Sequence, residues 1–99
     1  MRFEWDLRKA ESNIAKHRVS FETAMRIFAD PFLIIEQDRI EGGEPRWQAL
    51  GAVEGIAVLI VAHTVYDEDE GGELVEVIRI ISARKANAKE RRRYEEEKR

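Results

Sequence analysis

The feature that most constrains the fold is a series of strand-like segments between residues 46 and 82. Arg46–Val53 alternates loosely between polar and apolar residues, Ile56–Tyr66 is a long run rich in β-branched residues, and Leu74–Ser82 is similar. β-Branched residues pack well on a pleated sheet, and antiparallel strands need only short connections. The pattern therefore predicts consecutive antiparallel strands.

Two short connections and the apolar faces indicate how these strands are arranged. Glu54-Gly55 predicts a tight reversal, and the acidic, glycine-containing stretch Asp67–Glu73 predicts a hairpin tip. Both faces of Ile56–Val61 and of Val75–Ile81 carry apolar residues. Because a strand that is apolar on both faces must be covered on both, these two strands are predicted to be central.

The first 45 residues predict two helices and a further strand. Asp6 is an N-cap candidate for a helix that runs to about Lys16 or His17. Ser20 begins a second helix, and Asp30-Pro31 ends it, because the residue before a proline is driven out of the helical region. An extended start, a strand and a turn or longer loop are predicted at Phe3–Trp5, Phe32–Gln37 and Glu41–Pro45.

The end of the chain carries the most specific functional signal. Between Arg79 and Arg93 there are seven basic residues against one acid, Glu90, although the whole chain has a net charge of −3. A local excess of about six positive charges suggests a surface that binds a polyanion. From Asn87 to about Glu97 the pattern predicts a charged surface helix, anchored weakly by Tyr94 and one alanine.

Two interpretations of this basic segment remain open. Arg79, Arg84 and Lys85 belong to the last predicted strand and its exit, where an arginine fork suits phosphate oxygens. The alternative for the helix is a solvated surface, held by i,i+4 pairs between its three consecutive arginines and the glutamates that follow. Arg79 falls on a predicted apolar face, so it needs either a carboxylate partner or a cleft, and we favour the cleft.

Other residues narrow the possible chemistry. His63, which alternates with Leu59 and Val61, is a candidate general base near neutral pH, although a hydrogen-bonded strand residue is the commoner case. Asp67–Glu73 fits only the first half of a calcium loop, because the bidentate glutamate would fall at Ile78. With no cysteine and no histidine cluster, we expect neither a metal nor a cofactor.

Length and composition predict a single domain, residues 1–99, in the cytoplasm. A chain of 99 residues that is 43% hydrophobic and 37% charged is too apolar to be disordered. The absence of cysteine fits a reducing compartment. The N-terminus has no hydrophobic signal region, and the longest apolar run, Ile56–Ala62, is too short to span a bilayer.

Several motifs, in order along nearly the whole chain, resemble those of BrnT-type toxins. The N-terminal half has Phe3-Glu4-Trp5-Asp6 with Lys9 and Asn13, then His17–Ala24, then Phe28-Ala29-Asp30-Pro31. The second half has Glu44-Pro45-Arg46-Trp47 and Ile78–Ala86, with Glu90-Arg91 and Tyr94. The chain departs from the family at Arg18, where glycine is common, and at the Asp67–Glu73 hairpin, which is longer and more acidic than usual.

The resemblance implies an α+β, RelE-like fold, in which two N-terminal helices pack on a small antiparallel sheet of about four strands, with a charged C-terminal helix. It implies a toxin of a type II toxin–antitoxin pair, a metal-independent endoribonuclease that inhibits translation. The implied partners are an RNA substrate and a BrnA-like antitoxin with a ribbon-helix-helix domain, two toxins with two antitoxins. Operator DNA would be bound only through the antitoxin.

A ribonuclease without a metal must activate a 2′-hydroxyl, stabilise charge on the phosphate and protonate the leaving oxygen, so fixed cations carry the electrostatic stabilisation. Arg79 and Arg84 are the candidates for phosphate stabilisation, and Lys85 for backbone binding or proton transfer. His63 or Glu44 is the candidate base, and Tyr94 a proton donor or stacking ring. Arg46, Trp47, Lys89 and Arg92 are the candidate RNA-binding residues, with a core position as the alternative for Trp47.

A non-catalytic nucleic-acid-binding module or a protein-interaction subunit is the alternative function.

Overall fold

The computed structural model describes residues 1–54 and 57–98, and its five strands form one mixed sheet. The strand order is β1-β5-β4-β3-β2, with β1 parallel to β5 and every other pair antiparallel. A 3₁₀ helix at Met25–Ala29 follows α2 directly. In chain order the elements are β1 (Arg2–Trp5), α1 (Leu7–His17), α2 (Phe21–Ala24), β2 (Ile34–Glu41), β3 (Glu44–Val53), β4 (Ala57–Glu70), β5 (Glu73–Lys85) and α3 (Ala88–Glu97).

The α+β class and the C-terminal helix are confirmed, but the prediction of about four antiparallel strands is wrong. The extended start is a fifth strand, β1, which pairs with β5 in parallel. Phe3 packs on Phe28 with ring centroids 5.4 Å apart, and Trp5 packs edge-on against Phe21 at 5.9 Å. These aromatic contacts hold β1 in place, and the partner strand lies some seventy residues later, so no local pattern announces the pairing.

Both helix starts lie where the capping residues predict them. The Asp6 carboxylate accepts hydrogen bonds from the backbone N–H groups of Arg8 and Lys9, at 2.9 and 3.1 Å, and α1 ends at His17. The Ser20 hydroxyl accepts from the N–H of Thr23 at 3.0 Å. The second predicted helix is shorter than expected, because only its first four residues are α-helical and the rest is the 3₁₀ segment.

The two hairpin turns are tighter than predicted. Gly42-Gly43 and Gly71-Gly72 all have positive φ, from 59° to 92°, as two-residue turns between right-twisted strands require. Asp67–Glu70 therefore belongs to β4 rather than to a loop, and its carboxylates lie along a strand. The predicted reversal at Glu54-Gly55 begins with a turn residue at Glu54, and Gly55 and Ile56 lie outside the described residues.

The sheet is covered differently on its two faces. The face toward α1 and α2, here called the helix face, carries the main core, in which Phe21, Ile27 and Leu59 are fully buried. Burial of each such side chain stabilises the fold by roughly 1.5–3 kcal/mol. On the other face α3 covers only a small cluster around Leu50 and Tyr94. The remainder of that face, which α3 does not cover and which extends from β1 to β2, carries the polar residues Glu4, Arg46 and Arg79 and is here called the open face.

A buried asparagine closes the edge of β5 where β1 has ended. β1 pairs only with residues 77–80. Beyond it, Asn13 of α1 donates from Nδ2 to the carbonyl of Ala83 at 2.8 Å and accepts from the N–H of Ala83 at 3.0 Å. The same amide donates to the carbonyl of Val19 at 2.9 Å. The Asn13 side chain thus makes the two backbone hydrogen bonds that a neighbouring strand would make to Ala83, and it holds α1 against β5.

Candidate active site

Side chains from all five strands form a row across the open face. Arg79 of β5 pairs in register with Glu4 of β1 and with Thr64 of β4. Arg46 precedes Trp47, whose partner is His63, so Arg46 lies opposite Thr64 in the antiparallel pair. The row, here called the cross-strand row, consists of Arg39, Arg46, Thr64, Arg79 and Glu4.

A β-bulge brings Arg84 to the same face as Arg79. The register passes from His63 opposite Ile80 to Ala62 opposite Ser82, which leaves Ile81 as an extra residue in β5. In a regular strand, residues five apart point to opposite faces, and one extra residue reverses that relation. The open face therefore receives both of the arginines that we predict to stabilise phosphate.

Lys85 consequently lies on the helix face. It pairs with the buried residue Leu59, and it lines a cavity beside Ile14 and Ser20. This placement separates Lys85 from Arg84 and the cross-strand row, so proton transfer there is out of its reach, and its role in backbone binding stays a prediction. The physical reason is the alternation of the strand after the bulge.

Arg79 has a carboxylate partner, which corrects our preference for an unpartnered cation in a cleft. Its Nη1 donates to Glu4 Oε2 at 3.0 Å, and the Tyr66 hydroxyl donates to Glu4 Oε1 at 2.8 Å. The bond from Tyr66, and after it the bond from Arg79, lowers the pKa of the Glu4 carboxyl. The same contact raises the pKa of the Tyr66 phenol. At neutral pH the group is a carboxylate held between a phenol and a guanidinium.

Glu4 and Tyr66 are absent from the predicted site. They lie 62 residues apart in the sequence, and only the register of β1, β5 and β4 brings them together. The only sequence signal for Glu4 is its place in the Phe3-Glu4-Trp5-Asp6 motif. A short extended segment does not indicate which strand it pairs with, so the contact with Arg79 could not be predicted. Tyr66 offers no signal beyond its place near the end of a β-branched run.

The arginines of this side of the sheet are neutralised by glutamates. Arg84 donates two hydrogen bonds to Glu90, at 2.8 and 2.9 Å, and Arg93 donates two to Glu36, at 2.6 and 2.7 Å. Three of the seven basic residues between positions 79 and 93 are therefore paired: Arg79 and Arg93 with acids from β1 and β2, and Arg84 with Glu90 of the same segment. The paired residues are Arg2 with Glu68 and Glu70, Arg39 and Arg46 with Glu41, Arg79 with Glu4, Arg84 with Glu90, and Arg93 with Glu36.

Two adjacent donors of the cross-strand row have no hydrogen-bond partner among the described residues. They are Arg46 Nε and the hydroxyl of Thr64, a residue that is only 2% exposed. The nearest ion-pair contact of Arg46 Nε is Glu41 Oε2 at 3.8 Å, beyond hydrogen-bonding distance. A buried donor without an acceptor destabilises a fold by about 1–3 kcal/mol. Two of them beside Arg79 are suited to an anionic oxygen.

Arg84 is built into the start of α3. Glu90, which accepts its two bonds, also accepts from the backbone N–H of Asn87 at 2.8 Å, while its own N–H donates to the Asn87 side chain at 2.8 Å. The bond from Arg84 lowers the pKa of Glu90 despite its partial burial. This capping box positions the first turn of α3, so Arg84 has a clear role in holding the helix.

Tyr94 lies on the buried side of α3, in the small cluster with Leu50 and Ile60. It is 3% exposed, and its hydroxyl donates to Asp30, which also accepts from the N–H groups of Ala52 and Phe32 at 2.8 and 2.9 Å. Burial, followed by the bond to Asp30, raises the pKa of Tyr94 to about 12. For Asp30, burial opposes ionisation, but these three bonds outweigh it and lower the pKa. The geometry corrects the expectation of a proton donor or stacking ring.

His63 lies in the core of the helix face. It is 1% exposed, packs edge-on against Phe28 at 5.1 Å, and has Nδ1 3.4 Å from the carbonyl oxygen of Val61. Burial lowers the pKa of His63, so the ring is neutral near pH 7. Because Thr64 is its neighbour on the opposite face, the row is out of its reach, which corrects the expectation of a base at this position. Trp47, its register partner, is half-buried.

The remaining candidates lie at the margins of the open face. Glu44 is exposed at the hairpin end of β3, and Lys89 and Arg92 are exposed on α3. Of the three expected pairs on this helix, Arg93–Glu97 is present at 3.2 Å. Arg91 instead donates to the carbonyl of Ala86 at 2.8 Å, which adds to the anchoring of the helix start.

The acidic strand end does not assemble a metal site. Asp69 accepts a hydrogen bond from the backbone N–H of Gly72 at 2.9 Å, so it supports the turn. Within residues 1–54 and 57–98, no three His, Asp or Glu side chains are grouped closely enough to hold a metal ion. In that same part of the chain no helix has the length and apolar character needed to cross a membrane.

Comparisons with known proteins agree with this architecture. The chain matches a family model described as the ribonuclease toxin BrnT of type II toxin–antitoxin systems, over residues 5–90. It is similar to the 1.1 Å crystal structure of the Brucella abortus ribonuclease toxin BrnT, with a TM-score of 0.63 and 25% sequence identity. That match covers 88% of this chain and 97% of the Brucella chain. Among curated proteins no sequence matches. Because the family model spans most of the chain, this protein belongs to the BrnT family of ribonuclease toxins of type II toxin–antitoxin systems.

Proposed function

We propose that the protein is a metal-independent endoribonuclease of the cytoplasm that inhibits translation, with the cross-strand row as its active site. The observation that carries the proposal is the juxtaposition of an ionised carboxylate, Glu4, with the guanidinium of Arg79 and two unmet donors on Arg46 and Thr64. Family membership supports ribonuclease activity in general, and the row supplies the groups that this chemistry needs.

Substrate binding begins with an exchange of partners at Arg79. Its side chain is 44% exposed and that of Glu4 is 30% exposed, so a phosphate can reach the pair from solvent. A phosphate offers Arg79 a negatively charged acceptor in place of Glu4, and the freed carboxylate then becomes available as a base. The donors of Arg46 and Thr64 gain an acceptor in the same step.

The chemical step uses both ends of the Glu4–Tyr66 hydrogen bond. Glu4 takes the proton of the 2′-hydroxyl, the 2′-oxygen bonds to phosphorus, and the bond from phosphorus to the 5′-oxygen breaks. Arg79, Arg46 and Thr64 stabilise the charge that develops on the phosphate. The Tyr66 phenol, kept protonated by its raised pKa, protonates the leaving 5′-oxygen, and a proton then returns from Glu4 to Tyr66. The products are a 2′,3′-cyclic phosphate and a 5′-hydroxyl.

Glu4→Gln tests this mechanism most simply, because the amide keeps the size of the side chain and cannot act as a base. Purified protein is incubated with end-labelled RNA in EDTA, and the ends of the products are identified. We expect cyclic phosphate ends from the wild type and a rate lower by about 10²- to 10⁴-fold in the variant. RNA binding without strand scission would instead support a non-catalytic binding module.

We also propose that a BrnA-like antitoxin with a ribbon-helix-helix domain neutralises the toxin, with two copies of each chain in the complex. Operator DNA would be bound through the antitoxin alone. The support is membership of a toxin–antitoxin family. Light scattering on the co-expressed pair gives the mass of the complex, and a mass other than that of two chains of each kind would contradict the stoichiometry.

A further inference from the structure

We propose that a groove between α1 and the edge of β5 binds the phosphate backbone of the RNA beside the scissile position. The inference rests on the proposed function, since it assigns a second contact for the same substrate. The groove, here called the α1 groove, has a volume of about 250 Å³ and is lined by Lys9, Ser12, Asn13, Lys16, His17 and Ser82 together with Ile81.

The cations of the α1 groove differ from the arginines of the open face in having no carboxylate partner. Lys9 and Lys16 make no ion pair with the described residues, whereas six arginines of the open face (Arg2, Arg39, Arg46, Arg79, Arg84 and Arg93) each pair with a glutamate. Farther along β5, Lys85 and Arg18 line a second cavity of about 320 Å³, and they too have no carboxylate partner among the described residues. Four cations, Lys9, Lys16, Arg18 and Lys85, thus line one edge of an acidic protein.

Unpaired cations bind phosphate more readily than paired ones. A guanidinium that is held by a glutamate must give up that contact first, but a solvated lysine gives up only water and counterions. The α1 groove is therefore suited to affinity and the cross-strand row to chemistry. The α1 groove also presents the hydroxyls of Ser12 and Ser82, a kind of side chain that contacts nucleic-acid backbones, whereas the Asn13 amide is already bonded to Val19 and Ala83.

The α1 groove adjoins the active site along β5. Ser82 lines the groove and lies on the open face, opposite Ala62, three positions after Arg79. Three residues of strand span about 10 Å, which corresponds to about three stacked nucleotides of a single strand. One RNA strand can therefore contact the groove and the row together.

The lining favours RNA over an acidic protein segment. Ile81 is its one apolar member, and a peptide would find little surface in which to bury an apolar side chain. Repeated phosphates, in contrast, need only spaced cations and hydrogen-bond donors.

The test compares the double variant Lys9→Gln/Lys16→Gln with Arg8→Gln/Arg26→Gln, which removes two charges outside the groove. The probe is a fluorescent single-stranded RNA with 2′-O-methyl groups, which lacks the nucleophilic hydroxyl, and its affinity is measured against salt concentration. We expect the groove variant to bind more weakly, with a log–log salt slope reduced by about 1.4, because each lysine–phosphate contact on a single strand contributes about 0.7. The control and the charge-preserving Lys9→Arg/Lys16→Arg variant should retain the wild-type slope.

The outcomes separate this inference from the proposed function. On cleavable RNA the groove variant should show a raised KM with kcat unchanged. If the wild type does not cleave RNA but its salt slope of RNA binding depends on the two lysines, the α1 groove is supported as an RNA-binding site and the enzyme assignment is contradicted. If the slope is unchanged in a folded groove variant, the inference is overturned, and weaker binding of the antitoxin by that variant would assign the groove to an acidic protein segment.

Discussion

The open face holds more cations than the α1 groove, but its arginines are paired with glutamates and the lysines of the groove are not. On the open face six arginines meet glutamates from β1, β2, β4 and α3, so their charges are paired. Along α1 the lysines meet solvent. A count of basic residues along a chain therefore does not locate a polyanion site, because pairing in three dimensions decides which charges are available.

Among the cations of the two regions, the largest effect should come from removing Arg79, since the open face is assigned to chemistry. Arg79→Ala should lower kcat by about 10²- to 10³-fold, because the developing charge on the phosphate loses its principal donor. Single-turnover cleavage at saturating RNA measures this rate. Arg79→Lys, which keeps the charge without the planar fork, should recover part of it. A loss confined to KM would move Arg79 from chemistry to binding and remove the contrast between the two regions.

A smaller effect is expected from Tyr66→Phe, which removes the proposed proton donor and keeps the ring. We expect kcat to fall by about 10²-fold. A substrate with a 5′-thiol leaving group needs little protonation, so its cleavage should be nearly insensitive to the substitution. Equal losses on both substrates would contradict the role of Tyr66.

Tyr94 should influence stability rather than catalysis. Tyr94→Phe leaves Asp30 without one donor, and we expect the free energy of unfolding in urea to fall by about 1.5–3 kcal/mol. The kcat of the folded variant should be unchanged. A selective loss of kcat with unchanged stability would support the catalytic role that the sequence predicts for Tyr94.

The pH dependence of stability follows from the same contact. Because the pKa of Asp30 is lowered in the folded state, its ionisation stabilises the fold at every pH above its unfolded-state pKa. This contribution is lost as the pH falls through the folded-state pKa. Because the pKa of Tyr94 is raised to about 12, its protonated phenol stabilises the fold at every pH below about 10, the ordinary tyrosine pKa. This contribution is lost as the pH rises toward 12. Tyr94→Phe should therefore flatten the alkaline limb of the stability curve.

The smallest effect concerns Arg18, which caps α1 with a φ of +61°. A residue with a Cβ is strained there by about 1–2 kcal/mol, and glycine would relieve this strain. Part of that stabilisation is offset because glycine gives the unfolded chain more conformational entropy. Arg18→Gly should thus stabilise the fold by up to about 1 kcal/mol in urea unfolding. The substitution also removes one cation of the α1 edge, so weaker RNA binding should accompany the gain in stability. Destabilisation would show that the Arg18 side chain makes a contact worth more than the strain.

Local features of this fold could be predicted from the sequence, and long-range pairings could not. The caps at Asp6 and Ser20, the helix at the end of the chain and the acidic hairpin follow from neighbouring residues. The parallel pairing of β1 with β5 and the extra residue at Ile81 depend on contacts between distant segments. Those two features decide which side chains share the open face. The structure thus places Arg79 and Arg46, two residues predicted from the sequence, in one row with Glu4, a carboxylate that the sequence did not predict.

The central claim is that Glu4 is the base of a metal-independent ribonuclease, and the pH profile of kcat/KM tests it most directly. This profile reports the essential groups of the free enzyme. Because Tyr66 and Arg79 lower the pKa of Glu4, the acid limb of the wild type should lie below 4.5, the ordinary value for glutamate. Glu4→Gln should abolish that limb and leave a low, flat rate. An acid limb near pH 6.5 that persists in Glu4→Gln and disappears in His63→Gln would contradict the account.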